Sequence, residues 1–220
     1  EVCNGLDDDC NGVADDRDPV SLCGSIANGT PSCTGGTCRV GTCSSTFYDV
    51  DGTFSNGCEC QADGYADTCT AAASLGTLSD SPASSLTVSG NLVPGAEEDW
   101  FSFNAADTAD TTCDVFNVVV QFLANPSNQF RFDLYRGSCG TSVTCSGIGG
   151  VGGANVAQWR TNYYTATDGE CPCNNNPEGS VGAGTHRCID NSATFFVRVY
   201  RAAGGATCDL YQLQVSNGGP

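Results

Sequence analysis

Sixteen cysteines in 220 residues constrain this chain more than any other feature. That density points to an oxidising compartment and up to eight disulfides. A cytosolic zinc protein is the rival reading. It calls for paired Cys-x₂-Cys knuckles or several histidines, and the sequence has neither; its one histidine is His186. Nine cysteines (3, 10, 23, 33, 38, 43, 58, 60 and 69) fall in residues 1–69, and seven (113, 139, 145, 171, 173, 188 and 208) in residues 70–220. Both counts are odd. Complete pairing therefore needs at least one bond between the two regions, and Cys60 and Cys69 lie nearest the boundary. Connectivity does not follow from sequence. The candidate pairs are Cys3 with Cys10 and Cys139 with Cys145, each closing a local ring, and Cys113 with Cys208, near the starts of two strands.

The chain divides by texture. Residues 19–66 are Gly-rich and poor in apolar side chains. Such a segment cannot bury enough surface to fold on a core, so its cysteines must staple it. From about residue 84 the pattern changes to period two. Apolar side chains recur at every second position in Trp100–Phe103, Phe116–Phe122, Phe130–Leu134, Phe195–Val199 and Tyr211–Val215. These are strands with one buried and one wet face, as in an antiparallel sheet rather than a parallel one. Two such sheets face to face make a sandwich. Residues 67–80 read as a short helical turn or an extended lead-in. Residues 137–192, rich in Gly and Cys, read as a long insertion in which Trp159, Tyr163 and Tyr164 form one more strand.

The first eighteen residues carry the sharpest chemistry. Counted from Asp7, oxygen side chains stand at loop positions 1, 3, 5, 9 and 12: Asp7, Asp9, Asn11, Asp15 and Asp18. Gly12 takes the sharp-turn position, and Val13 the position that offers a backbone carbonyl. Hard oxygens at this spacing suit Ca²⁺ better than Mg²⁺. The loop departs from an EF-hand in two ways: Asp18 replaces the usual Glu, and no helix-length segment precedes Asp7. Cys3 and Cys10 bracket the turn and would staple it. A second candidate is Asp49, Asp51, Asn56 and Glu59, where a metal site and a disulfide-pinned Asp/Gly turn explain the sequence equally well.

The opening Glu-Val-Cys-Asn-Gly-Leu-Asp-Asp-Asp-Cys-Asn-Gly-Val-Ala-Asp-Asp resembles the metal-binding motif of bacterial secreted and surface proteins, found also in copper-associated surface proteins of the MopE type. That family usually carries Asp where Asn11 stands, so the resemblance implies a site with one charge fewer. Asp49–Glu59 is similar to Asp-x-Asp-Gly…Asn-Gly-Cys-Glu segments of cysteine-rich surface modules. Residues 67–217 resemble the bacterial pre-peptidase C-terminal domain, a jelly-roll-like β-sandwich, through Gly95–Phe103, Phe130–Gly137, Phe196–Tyr200 and Tyr211–Val215. That family often has Asp-x-Asp before the aromatic, where this chain has Glu97 and Asp99. These two are read as surface carboxylates.

The expected fold is mainly β. A calcium-binding loop (1–18) and a cysteine-rich module (19–66) precede a jelly-roll-like antiparallel β-sandwich (67–220) that carries the 137–192 insertion. Net charge is −17 and all eight basic residues are arginine. This excludes nucleic acid, which needs basic phosphate contacts, and docking on anionic lipid. No run of about eighteen apolar residues exists to span a membrane. No signal peptide and no methionine stand in the sequence, as in a mature form. No nucleophile elbow surrounds any serine, Gly147–Gly153 lacks the Lys-Ser/Thr of a phosphate loop, and His186 has no catalytic partner in sequence. The expected function is therefore non-enzymatic: an extracellular or cell-surface calcium-binding structural or adhesive module of a bacterial surface protein, stalk or filament. Its partners would be Ca²⁺ and copies of itself or other surface proteins. The alternative is a substrate- or glycan-binding accessory domain of a secreted hydrolase, which exposed aromatics on one flat face would favour.

Overall fold

The computed structural model describes residues 1–108, 116–140, 142, 153–160 and 192–218. Cys113, Cys145, Cys171, Cys173, Cys188, Tyr163, Tyr164, His186 and most of the 137–192 insertion lie outside the described residues. The chain forms two compact units.

The first unit comprises residues 1–64, 91–96 and 205–209. Its regular structure is sparse: a one-turn helix α1 (Pro19–Cys23), a hairpin of β1 (Gly29–Thr34) and β2 (Thr37–Cys43), and a two-residue ladder of β3 (Phe47–Tyr48) with β4 (Cys60–Gln61). The hairpin turns on Gly35 and Gly36, both at positive φ (59° and 70°). A two-residue turn of that kind matches the strand twist and excludes most side chains. The buried apolar set here is small: Leu22, Cys58, Cys60, Leu92 and Val93. Disulfides replace the missing core. Cys3 joins Cys33, Cys23 joins Cys38, Cys43 joins Cys58, and Cys60 joins Cys208. Cys33 and Cys38 face each other across the hairpin, yet each bonds outward, one to the opening loop and one to α1. The hairpin thus anchors both.

The second unit comprises residues 65–90, 97–204 and 210–220. A 3₁₀ turn at Cys69–Ala71 leads into β5 (Ala73–Ser79), so residues 67–80 contain both the helical turn and the extended lead-in. There follow β6 (Ser84–Gly90), β7 (Glu98–Ala106), β8 (Val119–Ala124), β9 (Phe130–Arg136), β10 (Gln158–Arg160), β11 (Ala193–Arg201) and β12 (Tyr211–Asn217). They form two four-stranded sheets, in the orders β10-β8-β12-β6 and β5-β7-β11-β9. Every pairing is antiparallel except β5 with β7, which is parallel. That pair corrects the purely antiparallel expectation, and β5 joins the sheets ahead of residue 84.

The sheets pack through the alternating residues. Phe101, Phe103, Phe132, Leu134, Phe195, Val197, Val199, Val120, Leu213 and Val215 are all at most 1% exposed. Phe122 of β8 meets Phe132 of β9 edge-on at 5.7 Å, and Trp159 of β10 lies 6.5 Å from Phe195 of β11. Each such side chain contributes about 1.5–3 kcal/mol of burial. Three buried polar groups are matched. Tyr211 donates its hydroxyl to Asp99, the Asn217 amide donates to the carbonyls of Leu78 and Ala106, and the Thr108 N–H donates to Asp80. Asp99 is fully buried. It is a core hydrogen-bond acceptor, not the surface carboxylate its strand-start position suggested.

All three disulfide expectations give way. Cys3 bonds Cys33, 30 residues on, and Cys10 is an exposed free thiol. Cys139 bonds Cys69, not Cys145, and Cys208 bonds Cys60, not Cys113. The reason is geometric. A disulfide needs Cα atoms within about 4.4–6.8 Å, and the fold brings Cys3 to 5.8 Å from Cys33 and Cys60 to 5.1 Å from Cys208. Cys60–Cys208 and Cys69–Cys139 both link residues 1–69 with residues 70–220, and an even number of such bonds leaves one of the nine N-terminal cysteines, Cys10, over.

Candidate metal centre

Consecutive Asp and Asn side chains shape the opening loop by accepting from nearby backbone N–H groups, as short polar side chains do in turns. The Asp7 carboxylate accepts from Asn11 N (3.1 Å) and Gly12 N (2.8 Å). Asp9 accepts from Asn11 N (3.2 Å). Asn11 Oδ1 accepts from Val13 N (2.9 Å), while its Nδ2 donates to Asp16 (3.1 Å). Gly12 takes φ +97° at the sharp turn, as its loop position requires.

This folding gathers part of the expected ligand set. Carboxylate oxygens of Asp7, Asp9 and Glu1 lie within 4.8 Å of one another. Glu1 was not expected. It stands outside the twelve-residue spacing that identified the loop. Its Oε2 accepts from Asp16 N (3.0 Å), which closes the loop from behind, and its Oε1 is buried without a hydrogen-bond partner. Burial, then the neighbouring Asp16 and Asp9, raise the Glu1 carboxyl above the ordinary range. Arg17, 4.0 Å from Asp9, is a weak exposed counter-charge.

Two expected ligands serve elsewhere. Asp15 accepts from the N–H groups of Asn4 and Gly5 (each 3.0 Å at closest) and lies beside the Cys3–Cys33 sulfurs. Asp18 caps α1, its Oδ2 accepting from Val20 N (3.1 Å) and Ser21 N (3.2 Å). Asp followed by Pro at the first helical position is a strong helix start, so this residue has a second reading that loop spacing alone does not reveal. Val13 is exposed and donates its N–H to Asn11.

The second candidate is more complete. Carboxylate oxygens of Asp49, Asp51 and Glu59 lie within 4.8 Å of one another. Asp49 Oδ1 accepts from Gly52 N and Asp51 Oδ1 from Thr53 N, each at 2.7 Å. Glu59 Oε1 accepts from Val50 N at 3.1 Å, and Asn56 Nδ2 donates to Asp51 at 3.0 Å. These donors, Thr53 N–H and the Asn56 amide foremost, hold the Asp51 carboxyl below the usual range. Glu59 stands between Cys58 and Cys60, both buried and both in disulfides, so its backbone is fixed from either side. Two oxygens at this site, Asn56 Oδ1 and Glu59 Oε2, are buried without a hydrogen-bond partner. Leaving such atoms unmatched costs free energy, more for a carboxylate than for an amide.

The donors at both clusters are oxygen only, which fits a hard divalent cation. Oxidised cysteines cannot serve as thiolate ligands, so the groupings of sulfur with Asp15 or Glu59 do not describe a soft-metal site. Comparison with known protein families and with characterised proteins found no match to this chain. What the fold and the clusters define is a class: a mainly β, disulfide-rich chain with two oxygen-lined carboxylate clusters in its core-poor unit.

Proposed function

We propose that this chain is a calcium-binding, disulfide-stabilised extracellular module with a structural or adhesive task in a bacterial surface protein, and that its second unit is a jelly-roll-like sandwich. One observation carries the calcium reading. Glu1 Oε1, Glu59 Oε2 and Asn56 Oδ1 are buried and unmatched, each within or beside a cluster of three carboxylates. A cation at each cluster supplies the missing partner and removes the carboxylate repulsion. Glu1, Asp7 and Asp9 would hold one ion, and Asp49, Asp51 and Glu59, with Asn56 turned to it, the other.

The five disulfides among the described residues support the extracellular placement, since such bonds persist in oxidising compartments. Among the described residues no helix is long and apolar enough to cross a membrane. The glycan-binding alternative called for exposed aromatics on a flat face. Trp100 and Tyr135 do stack at 5.4 Å, but only 7% and 9% of their surfaces remain exposed. The structural reading is therefore preferred.

Counting bound ions tests it. After equilibration in millimolar calcium, native mass spectrometry should find two ions per chain. Asp9→Asn should remove one and Glu59→Gln the other. No calcium retained by the wild-type chain, with unchanged amide protection of residues 4–18 and 49–59 on chelation, would overturn the proposal.

A further inference from the structure

Each sheet of the second unit has two edges, and an open edge invites strand addition unless it is short, charged, broken or covered. Three of the four are blunted in one of these ways. Strand β10 is three residues long. Strand β9 carries Arg131, Asp133 and Arg136, and residues 153–156 cover it: Leu134 N donates to Gly153 O (2.6 Å) and Phe132 N to Val156 O (2.8 Å). Strand β5 breaks register between Ser74 and Thr77.

Strand β6 has none of these protections. Its ladder with β12 runs through seven consecutive pairs without a shift, Ser84↔Asn217 to Gly90↔Tyr211. No described residue pairs with its other side. Ser85, Leu86, Thr87 and Ser89 are exposed, Leu86 at 41%. The strand contains no Pro and no charge. In residues 68–96 the single charged side chain is Asp80, and it is buried.

We propose that the outer edge of β6 pairs antiparallel with the same edge of a second copy of this chain. This deepens the structural reading above by naming the surface through which copies associate. Charge identifies the occupant. Two bodies of net charge −17 repel, so they approach most readily where neither presents a carboxylate, and the β6 edge is such a place. The sequence is also self-complementary about a two-fold axis at Thr87. Thr87 then faces Thr87, Leu86 faces Val88, and Ser85 faces Ser89, which gives β-branched and hydroxyl cross-strand pairs with no like charges opposed. The four-stranded sheet becomes a continuous eight-stranded one. A contact of one strand pair is small, so the dimer is weak and concentration-dependent. Salt strengthens it by screening the repulsion.

Sedimentation velocity over a wide concentration range, at low and moderate salt, tests the proposal. The variants are Thr87→Glu, Ser89→Glu and the charge-matched control Ser74→Glu on β5, with circular dichroism confirming that each is folded. The wild-type chain and Ser74→Glu should form a dimer that grows with concentration and salt, while Thr87→Glu and Ser89→Glu stay monomeric. The dimer should persist in chelator, which separates this result from ion counting: a chain that dimerises but retains no calcium sinks only the metal reading. A wild-type chain monomeric throughout would overturn the proposal. So would a Thr87→Glu dimer as tight as wild type, or a dimer abolished by chelator alone.

Discussion

Removing the Cys60–Cys208 bond by the paired change Cys60→Ala and Cys208→Ala should cost this chain more stability than removing any short-range disulfide. The bond spans 148 residues. Cys69–Cys139 lies inside that span, so the shortest covalent path round the loop in the unfolded chain is only about 80 residues; chain-entropy reasoning then assigns the bond about 4.5 kcal/mol at 25 °C. Cys43–Cys58 and Cys23–Cys38 each span 15 residues, for which the same reasoning gives about 3 kcal/mol. Cys60 is also 1% exposed, so its truncation adds a small packing loss in a unit with little core to spare. Urea unfolding followed by far-ultraviolet circular dichroism measures the difference. The expected result is a loss of about 4–5 kcal/mol for the long bond, against about 3 kcal/mol for Cys43→Ala with Cys58→Ala. If the long-range pair cost less than the short-range pair, loop entropy would not be what makes these staples effective.

Two further outcomes are expected. Burial, and then the nearby Asp133 charge, push Tyr200 up to about 12 from its ordinary value of 10. A raised pKa means the folded state keeps its proton after the unfolded chain has lost it. The contribution is therefore full below pH 10 and is lost as pH rises towards about 12, and Tyr200→Phe should flatten that alkaline limb in a stability–pH series. Gly57→Ala should destabilise by roughly 1–3 kcal/mol in urea unfolding, because Gly57 sits at φ +69° and an added Cβ would stand 2.4 Å from the Ala27 carbonyl oxygen.

What could be read in advance follows from which forces leave a trace in sequence. The strands of the second unit were legible wherever one face is buried, because burial writes an alternating pattern: Trp100–Phe103, Phe130–Leu134 and Tyr211–Val215 all lie in strands. Strand β6 was marked only faintly, because Leu86 and Val88 are its only two apolar side chains larger than glycine and an edge strand buries little. The hairpin of β1 and β2 left one usable signal, Gly35-Gly36 between Thr34 and Thr37. The disulfides left only the parity of the counts and the boundary position of Cys60 and Cys69; Cys3 and Cys33 are 30 residues apart and meet through the tertiary fold. In the candidate site, Asp7 and Asp9 were marked by spacing and Asp49, Asp51 and Glu59 by composition. Glu1 joins through the closing of the loop, a tertiary event, and Asp18 was claimed by a helix whose start signal competes with the loop's.

The crosslinks also decide what happens when the backbone is cut. Cys3–Cys33, Cys23–Cys38, Cys43–Cys58, Cys69–Cys139 and Cys60–Cys208 enclose nearly every peptide bond from Cys3 to Cys208 in at least one covalent ring. A single proteolytic nick inside any ring leaves two fragments still joined. The exceptions are the bonds between Cys38 and Cys43, which run along the paired strand β2, and those flanking Glu59, held between two buried cysteines. One is guarded by a ladder and the other by burial. A chain wired this way survives most single scissions as one covalent molecule, its fragments held together by sulfur where the backbone no longer joins them.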